Sequence, residues 1–413
     1  MYELYPYFTN DGSVGLYSEA DNDIYHSTYG ALTEAYEKFI LPAGLEKFFE
    51  KNSGIKILDI CFGIGYNSKS FVNFFIENIY NDTIYTNNIN TSVCSDKIYT
   101  DNKSDKNFFN IYIKAIDIDK ILAFLSPFVI CNKKNLPENY QLPFNNDKIS
   151  KMLNKPAAND IKYHNSINFL FYEKIVQNYP EIFKNSEISE IMNSKKYRSF
   201  FEADICRLFN LDRKKRSSYT PLRPLFAFLH NIYYRNLSNR YKNDLKAFKN
   251  VLFNFDLKLN DARKELLYDN NKYNFIFLDA FTPAKCPALW TLEFFKLLYE
   301  HLDENGMILT YSNSAAVRNA FINAGFYVGK TFNSSLKKFT GTVAVKNKSL
   351  IKHDLSEYDL GLIKTRAGIF YRDENLTGLN EEILASHRKE VENSNLISSS
   401  KYIKEYKKHV EEV

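Results

Sequence analysis

Four aspartates sit within or just past apolar runs, and that placement gives them chemistry to do. Asp59 lies in the run 55–60, Asp117 ends 111–116, Asp261 follows 253–259 and Asp279 ends 275–278. A carboxylate at the C-terminal end of a parallel strand faces the crevice where open α/β sheets hold their ligands. There it can accept hydrogen bonds from sugar hydroxyls or an amine; equally, it can cap the helix that follows. Both roles stay open for Asp117 and Asp279. Directly after the first run comes Cys61-Phe62-Gly63-Ile64-Gly65-Tyr66-Asn67, then helical spacing at Phe71, Phe74 and Phe75. A strand, a glycine turn and a helix in that order expose backbone N–H groups at a helix N-terminus, and the glycines let a ligand approach the backbone. Asp117, with Asp119 two residues on, is placed where a doubly wound domain receives the ribose hydroxyls of a nucleotide-type cofactor.

The stretch 273–290, YNFIFLDAFTPAKCPALW, is the most distinctive in the chain. Its apolar start fits a buried parallel strand. Pro283 and Pro287 then stiffen a loop that holds Phe281, Lys285 and Trp290 before helix resumes near Thr291.

The elements that must position these groups follow from hydrophobic periodicity. Residues 1–29 predict a short hairpin closed by Tyr25-His26-Ser27; a helix over 30–41 follows, which Pro42 stops. The alternation of strands and helices over 51–130 and 251–348 predicts an α/β fold with a doubly wound, mostly parallel sheet. Within the first of these segments, 78–108 reads as a polar surface insertion. Residues 131–250 read as a helical insertion, with helices at 166–179, 189–209 and 225–248. The last carries Arg235, Arg240 and Lys242 among tyrosines, a pattern that suits phosphate contact and base stacking as well as a solvated face. Asn305-Gly306 leads into the strand 307–312. The tail 349–413 is polar and partly helical.

Composition narrows the classes. A chain of 413 residues with 45% hydrophobic residues has ample core material, and a net charge of +5 is too small to imply a nucleic-acid protein by itself. Cys61, Cys94, Cys131, Cys206 and Cys286 are scattered, without CxxC spacing or adjacent histidines, which argues against a disulfide framework and a zinc site. With no basic start followed by an apolar run, and no stretch of about 18 apolar residues, the expectation is a soluble, cytoplasmic protein that binds neither metal nor membrane.

Taken together, the chain resembles the class I S-adenosylmethionine-dependent methyltransferases, which share a Rossmann-like fold. The 279–290 stretch is similar to the DxFxPxKxPxxW signature of a narrower group: the methyltransferase half of the bifunctional tRNA 5-methylaminomethyl-2-thiouridine biosynthesis protein and its stand-alone relatives. Asp279, Phe281, Pro283, Lys285, Pro287 and Trp290 occupy the matching positions. FGIGYN at 62–67, YSNSAAVRNAFINAGF at 311–326 and YHSTYGALTEA at 25–35 support it. The resemblance implies S-adenosyl-L-methionine as cofactor, held by Asp59, Gly63, Gly65, Asn67, Asp117, Asp119, Asp261 and Ala262. It implies tRNA as partner, met by Tyr25, His26, Ser27, Phe281, Lys285 and Trp290. Asp279 is then the catalytic residue, aligning or deprotonating an aminomethyl group on the wobble uridine. Cys61 stands where the family commonly has the first glycine of its turn, so left-handed backbone is expected only at Gly63 or Gly65, with Cys61 packed beneath. No GxGxxG fingerprint follows the methyltransferase region in these 413 residues, so the flavin-dependent oxidase half of the bifunctional protein is not expected among them. Alternatives are a methyltransferase or aminopropyltransferase for another amine, or a non-catalytic RNA-binding protein on a degenerate fold.

Overall fold

The computed structural model describes residues 4–18, 23–26, 29–80, 109–119, 122–123, 126–129, 161–164, 166–179, 251–334 and 336–411. Ser27, the polar stretch 81–108 and the expected helices 189–209 and 225–248, with Arg235, Arg240 and Lys242, lie outside the described residues.

Near the N-terminus, β1 (Leu4–Phe8), β2 (Val14–Ser18) and β3 (Asp23–Ile24) form a small antiparallel sheet. A second sheet is built from β4 (Gly54–Ile60), β5 (Phe109–Asp117), β6 (Val251–Leu259), β7 (Tyr273–Leu278), β8 (Leu302–Thr310), β9 (Tyr327–Asn333) and β10 (Lys338–Val345). Its order is β6-β5-β4-β7-β8-β10-β9. The first five of these strands are parallel, and β10 runs antiparallel to both of its neighbours. This is the expected Rossmann-like, mostly parallel architecture. The order reverses between β4 and β7, which makes the space beyond their C-terminal ends the ligand crevice.

Side chains of the central strands alternate between two cores, as the two-residue period requires. Ile57, Phe275 and Phe277 face one layer, with Phe39 and Phe71 from the helices around the N-terminal half and Phe171 from the helix Ile167–Asn178. Leu58, Ile60, Ile276 and Leu278 face the other, with Phe294, Phe295 and Phe321 from the helices Leu292–His301 and Ala315–Asn323. Strands apolar on both faces fit a sheet covered on both sides. Among the described residues, no helix is long and apolar enough to cross a membrane.

Two local expectations are corrected. Pro42 does not stop the first helix: the α-turn Ala31–Ala35 passes into a π-helical turn, Tyr36–Ile40, and on through Leu41–Ala43. Proline lacks an N–H but sits in the first turn of that last segment, where the missing donor is not required; Gly44, left-handed at φ 65°, ends the run. The strand expected at 307–312 begins earlier and ends sooner: β8 runs from Leu302, straight after the helix, to Thr310, with a shift of register against β7 before Met307.

Arg263 is one of the side chains that tie the tail to the sheet domain. Arg263, 8% exposed, donates through Nη2 to Asp261 Oδ2 at 2.7 Å and through Nη1 to Asp373 Oδ2 at 2.7 Å and Gly378 O at 2.9 Å. Asp373 is itself buried and caps its own turn by accepting from Thr377 N and Gly378 N. Arg263→Ala should therefore lower the unfolding free energy by about 3–5 kcal/mol, the usual cost of leaving a buried charge without its partner. Urea denaturation measures it; a loss below ~1 kcal/mol would mean that the tail docks without this pair.

Candidate active site

The turn after β4 is held by backbone geometry. Cys61 N and Phe62 N both donate to Ile116 O, at 2.9 and 3.2 Å, so the chain crosses onto β5 as it leaves the sheet. Cys61 itself takes φ 65°, Gly63 φ 55° and Gly65 φ 82°. The expectation that Cys61 packs beneath the turn in ordinary backbone is thus corrected: the first left-handed position falls on a cysteine. Such a conformation costs a residue with a Cβ about 1–2 kcal/mol. Gly65 could not be replaced, since a Cβ there would lie 2.5 Å from Phe62 and 2.7 Å from Ser126. Gly63 differs: its nearest neighbour to a built Cβ is Cys61 O at 3.9 Å, so the turn opens on space that a ligand can fill against the backbone.

Asp117 and Asp59 hold this turn. Asp117 Oδ2 accepts from Gly63 N at 2.6 Å and Oδ1 accepts from Asp119 N at 2.6 Å. Burial raises the pKa of Asp117, and those backbone donors oppose the rise. Asp119 accepts from Leu122 N at 3.2 Å, which caps the next turn. Asp59 is fully buried; its Oδ2 accepts from Ser68 N and Ser68 Oγ in the helix Tyr66–Phe74. From there it fastens the glycine turn and does not reach the crevice. Burial pushes its pKa up to about 7, with the Ser68 hydroxyl opposing and the Asp279 and Asp117 charges adding.

Across the switch point, Asn67 Nδ2 donates to Asp279 Oδ2 at 2.9 Å. This contact joins the glycine-turn helix to the end of β7 and aligns the Asp279 carboxylate. Burial pushes Asp279 up to about 6, and the Glu34 charge adds to it; Asn67 and Lys38 act the other way. Glu34 and Lys38, an ion pair one turn apart on the first helix, were not legible as site residues. Glu34 lies within YHSTYGALTEA, the sequence signal that was available for it.

Around Asp279 the rim is aromatic. The Tyr25 ring meets Phe281 edge-on at 5.0 Å, and His26 meets Tyr66 edge-on at 5.0 Å. Burial drops His26 to about 4 despite the nearby Glu34 and Asp11, so it is neutral at physiological pH. Tyr311 donates to Ala280 O at 2.8 Å and lies under Lys38 Nζ, 5.2 Å from the ring centroid. Trp290 is fully buried, and its indole N–H donates to Phe281 O at 2.7 Å, so it shapes the loop rather than lining the crevice. Lys285 is exposed on that loop. Asp261 caps the helix Ala262–Leu267 through Arg263 N at 2.9 Å; burial pushes its pKa up, but the hydrogen bonds and charge of Arg263 outweigh it and hold Asp261 low. Ala262 is buried in the first turn of that helix.

The structure therefore brings Asp59, Gly63, Gly65, Asn67, Asp117, Asp119 and Asp279 around one switch point, with Tyr25, His26 and Phe281 on its rim. Asp261 and Ala262 stand beyond β6, two strands from β4.

Comparison with known proteins agrees with this fold. The family described as S-adenosyl-L-methionine-dependent methyltransferase matches residues 222–347. An uncharacterized protein of Methanocaldococcus jannaschii is 31% identical over 159 residues, 38% of this chain and 44% of that protein. The tRNA 5-methylaminomethyl-2-thiouridine biosynthesis bifunctional protein MnmC of Legionella pneumophila is 30% identical over 86 residues, 21% of this chain and 12% of its own length. The chain thus spans less than half the length of the curated relatives it matches. Among solved structures, MNMC2 from Aquifex aeolicus superposes with a TM-score of 0.53 at 20% identity, covering 95% of this chain and 87% of that one, which is a likeness of fold.

Replacing Cys61 by glycine should relieve the left-handed strain and raise stability by up to ~1 kcal/mol, whereas Cys61→Val should lower it. Thermal or urea unfolding of both variants checks this; equal stability of the two would mean that the turn adapts and stores no strain at this residue.

Proposed function

We propose, from the match of residues 222–347 to a family described as S-adenosyl-L-methionine-dependent methyltransferase, that the chain methylates an amine, namely the 5-aminomethyl group of the modified wobble uridine in tRNA. The observation that carries this reading is the Asn67–Asp279 hydrogen bond at 2.9 Å, which sets a carboxylate beside the cofactor turn. Supporting it are the match of 279–290 to the family signature and the partial similarity to the Legionella protein.

The residues present fit the cofactor. The open space at Gly63 admits its amino-acid end against the backbone, and Asp117 keeps lone pairs beyond those used by Gly63 N and Asp119 N for ribose hydroxyls. When bound there, S-adenosyl-L-methionine supplies an electrophilic methyl group on a sulfonium. The protein's task is to hold the acceptor nitrogen in line and free of its extra proton, since an alkylammonium has no lone pair. Asp279 Oδ2 is engaged by Asn67, which turns the other carboxylate oxygen toward the acceptor. As an ion pair it holds the ammonium; as an acceptor it takes the proton that leaves nitrogen, or passes it to water. Burial narrows the gap between the two groups, because it raises the carboxylate's pKa and lowers that of an amine brought into the same site. Tyr25 and Phe281 close the rim and keep water from competing for these contacts.

The pH dependence follows. Asp279 must be ionised to act, and its pKa is about 6, so single-turnover methyl transfer should fall as pH drops through 6. Asp279→Asn should slow transfer by about 100-fold at neutral pH while cofactor and tRNA still bind, with partial recovery at higher pH, where solution supplies neutral amine. Wild-type transfer by this variant to tRNA bearing the 5-aminomethyl group would remove Asp279 from the chemistry.

A further inference from the structure

The β9–β10 hairpin presents two large aromatic rings that the fold leaves in solvent. Phe332 and Phe339 are register partners across the two strands. Their ring centroids are 5.3 Å apart, yet the residues are 43% and 41% exposed. His353 packs against both, at 5.9 and 5.3 Å, and Lys330 Nζ lies 4.4 Å from the centre of Phe339. Lys337, Lys338 and Lys352 are exposed beside them. A cleft of about 180 Å³ opens alongside, lined by Met307, Val343, Leu350, Lys352 and His353 as well as Phe332.

The charge of this patch is positive. Asp359 is neutralised by Arg318 and Lys330, each at 2.8 Å, and Glu37 is buried against Asn333. Among the described residues of the patch, Asp354 is the exposed acid that remains against the three exposed lysines.

Its position is equally informative. Lys330 pairs with Thr342, Thr342 with Thr310, and Thr310 with Leu278, the residue before Asp279. Phe332 therefore lies just past the same sheet edge as the active site, three strand spacings or ~14 Å to the side. Stacking faces flanked by lysines are how proteins hold unpaired nucleotides, whereas protein-docking cores are depleted of lysine.

We infer that this patch is an RNA contact: unstacked bases lie on Phe332, Phe339 and His353, and the adjoining phosphates meet Lys337, Lys338 and Lys352. It grips the RNA beside the crevice while another nucleotide enters it. The inference rests on the proposed tRNA substrate and adds where that substrate is held.

Fluorescence anisotropy with bulk tRNA, at several salt concentrations and without cofactor, tests it. Calorimetric titration of S-adenosyl-L-methionine reports whether each variant is intact. Phe332→Ala with Phe339→Ala should weaken tRNA binding by about 10-fold or more without changing its salt slope. Lys337→Ala with Lys338→Ala and Lys352→Ala should weaken it and flatten that slope by about 2. Both should keep wild-type cofactor affinity. Unchanged tRNA affinity in both, with a wild type that methylates tRNA, overturns the patch and leaves the proposed reaction standing. A wild type that binds cofactor but neither binds nor methylates tRNA overturns both. Altered self-association in sedimentation, with tRNA affinity intact, assigns the patch to a second copy of the chain and overturns the RNA contact.

Discussion

Burial of negative charge at the switch point is the constraint on which the rest of the site depends. Asp59, Asp117 and Asp279 end or nearly end the neighbouring strands β4, β5 and β7, and burial raises the pKa of each. Because these folded-state values lie above the ordinary carboxylate value of 3.8, their contribution to stability is present at low pH and is lost as pH rises through about 6 for Asp279 and about 7 for Asp59. At neutral pH the fold therefore carries charge it would shed if it could. Backbone donors at Gly63, Ser68 and Asp119, with the Asn67 amide, make this tolerable. A ligand carrying positive charge relieves what remains: the sulfonium of S-adenosyl-L-methionine is one such charge, and the proposed amine acceptor, as ammonium, would be a second.

That arrangement also explains why the N-terminal segment is attached as it is. Tyr66 accepts from Val14 N at 2.8 Å and donates to Val14 O at 3.0 Å, which fixes the small sheet onto the glycine-turn helix. Asp11 accepts from Thr33 N and Thr33 Oγ1, both at 2.8 Å, and so sets the helix that carries Glu34 and Lys38. Glu34 then adds a further carboxylate charge near Asp279, balanced by its ion pair with Lys38 one turn on. The Glu34 charge raises the pKa of Asp279, and the paired lysine limits how far it can do so.

The strand-end carboxylates were legible because each follows a short apolar block, and a two-sided buried sheet leaves few other readings of such blocks. Glu34 and Lys38 were not, because their role arises only where a helix docks against β7, far from them in sequence. Arg263 and Asp373 meet across 110 residues, and no local pattern anticipates such a pair. Cys61 misled for a different reason. Propensity assigns left-handed backbone to glycine, but the bonds of Cys61 N and Phe62 N to Ile116 O fix the turn's geometry whatever side chain it bears. From sequence Trp290 can either shape its loop or meet RNA, and only packing shows that its indole is spent on Phe281 O.

The one antiparallel strand has a consequence that a wholly parallel sheet could not deliver. In parallel pairs, each connection must recross a face of the sheet to regain the starting edge. β10 returns directly from β9, so the hairpin between them projects at the C-terminal edge, beside the ends of β7 and β8. The edge that holds the carboxylates is thereby extended sideways by a two-stranded hairpin. A small acceptor amine has no use for a surface so far from Asp279, whereas a nucleotide joined to its neighbours by a phosphate chain does. On the proposed tRNA reading, the hairpin gives the neighbouring nucleotides a second surface beside the crevice.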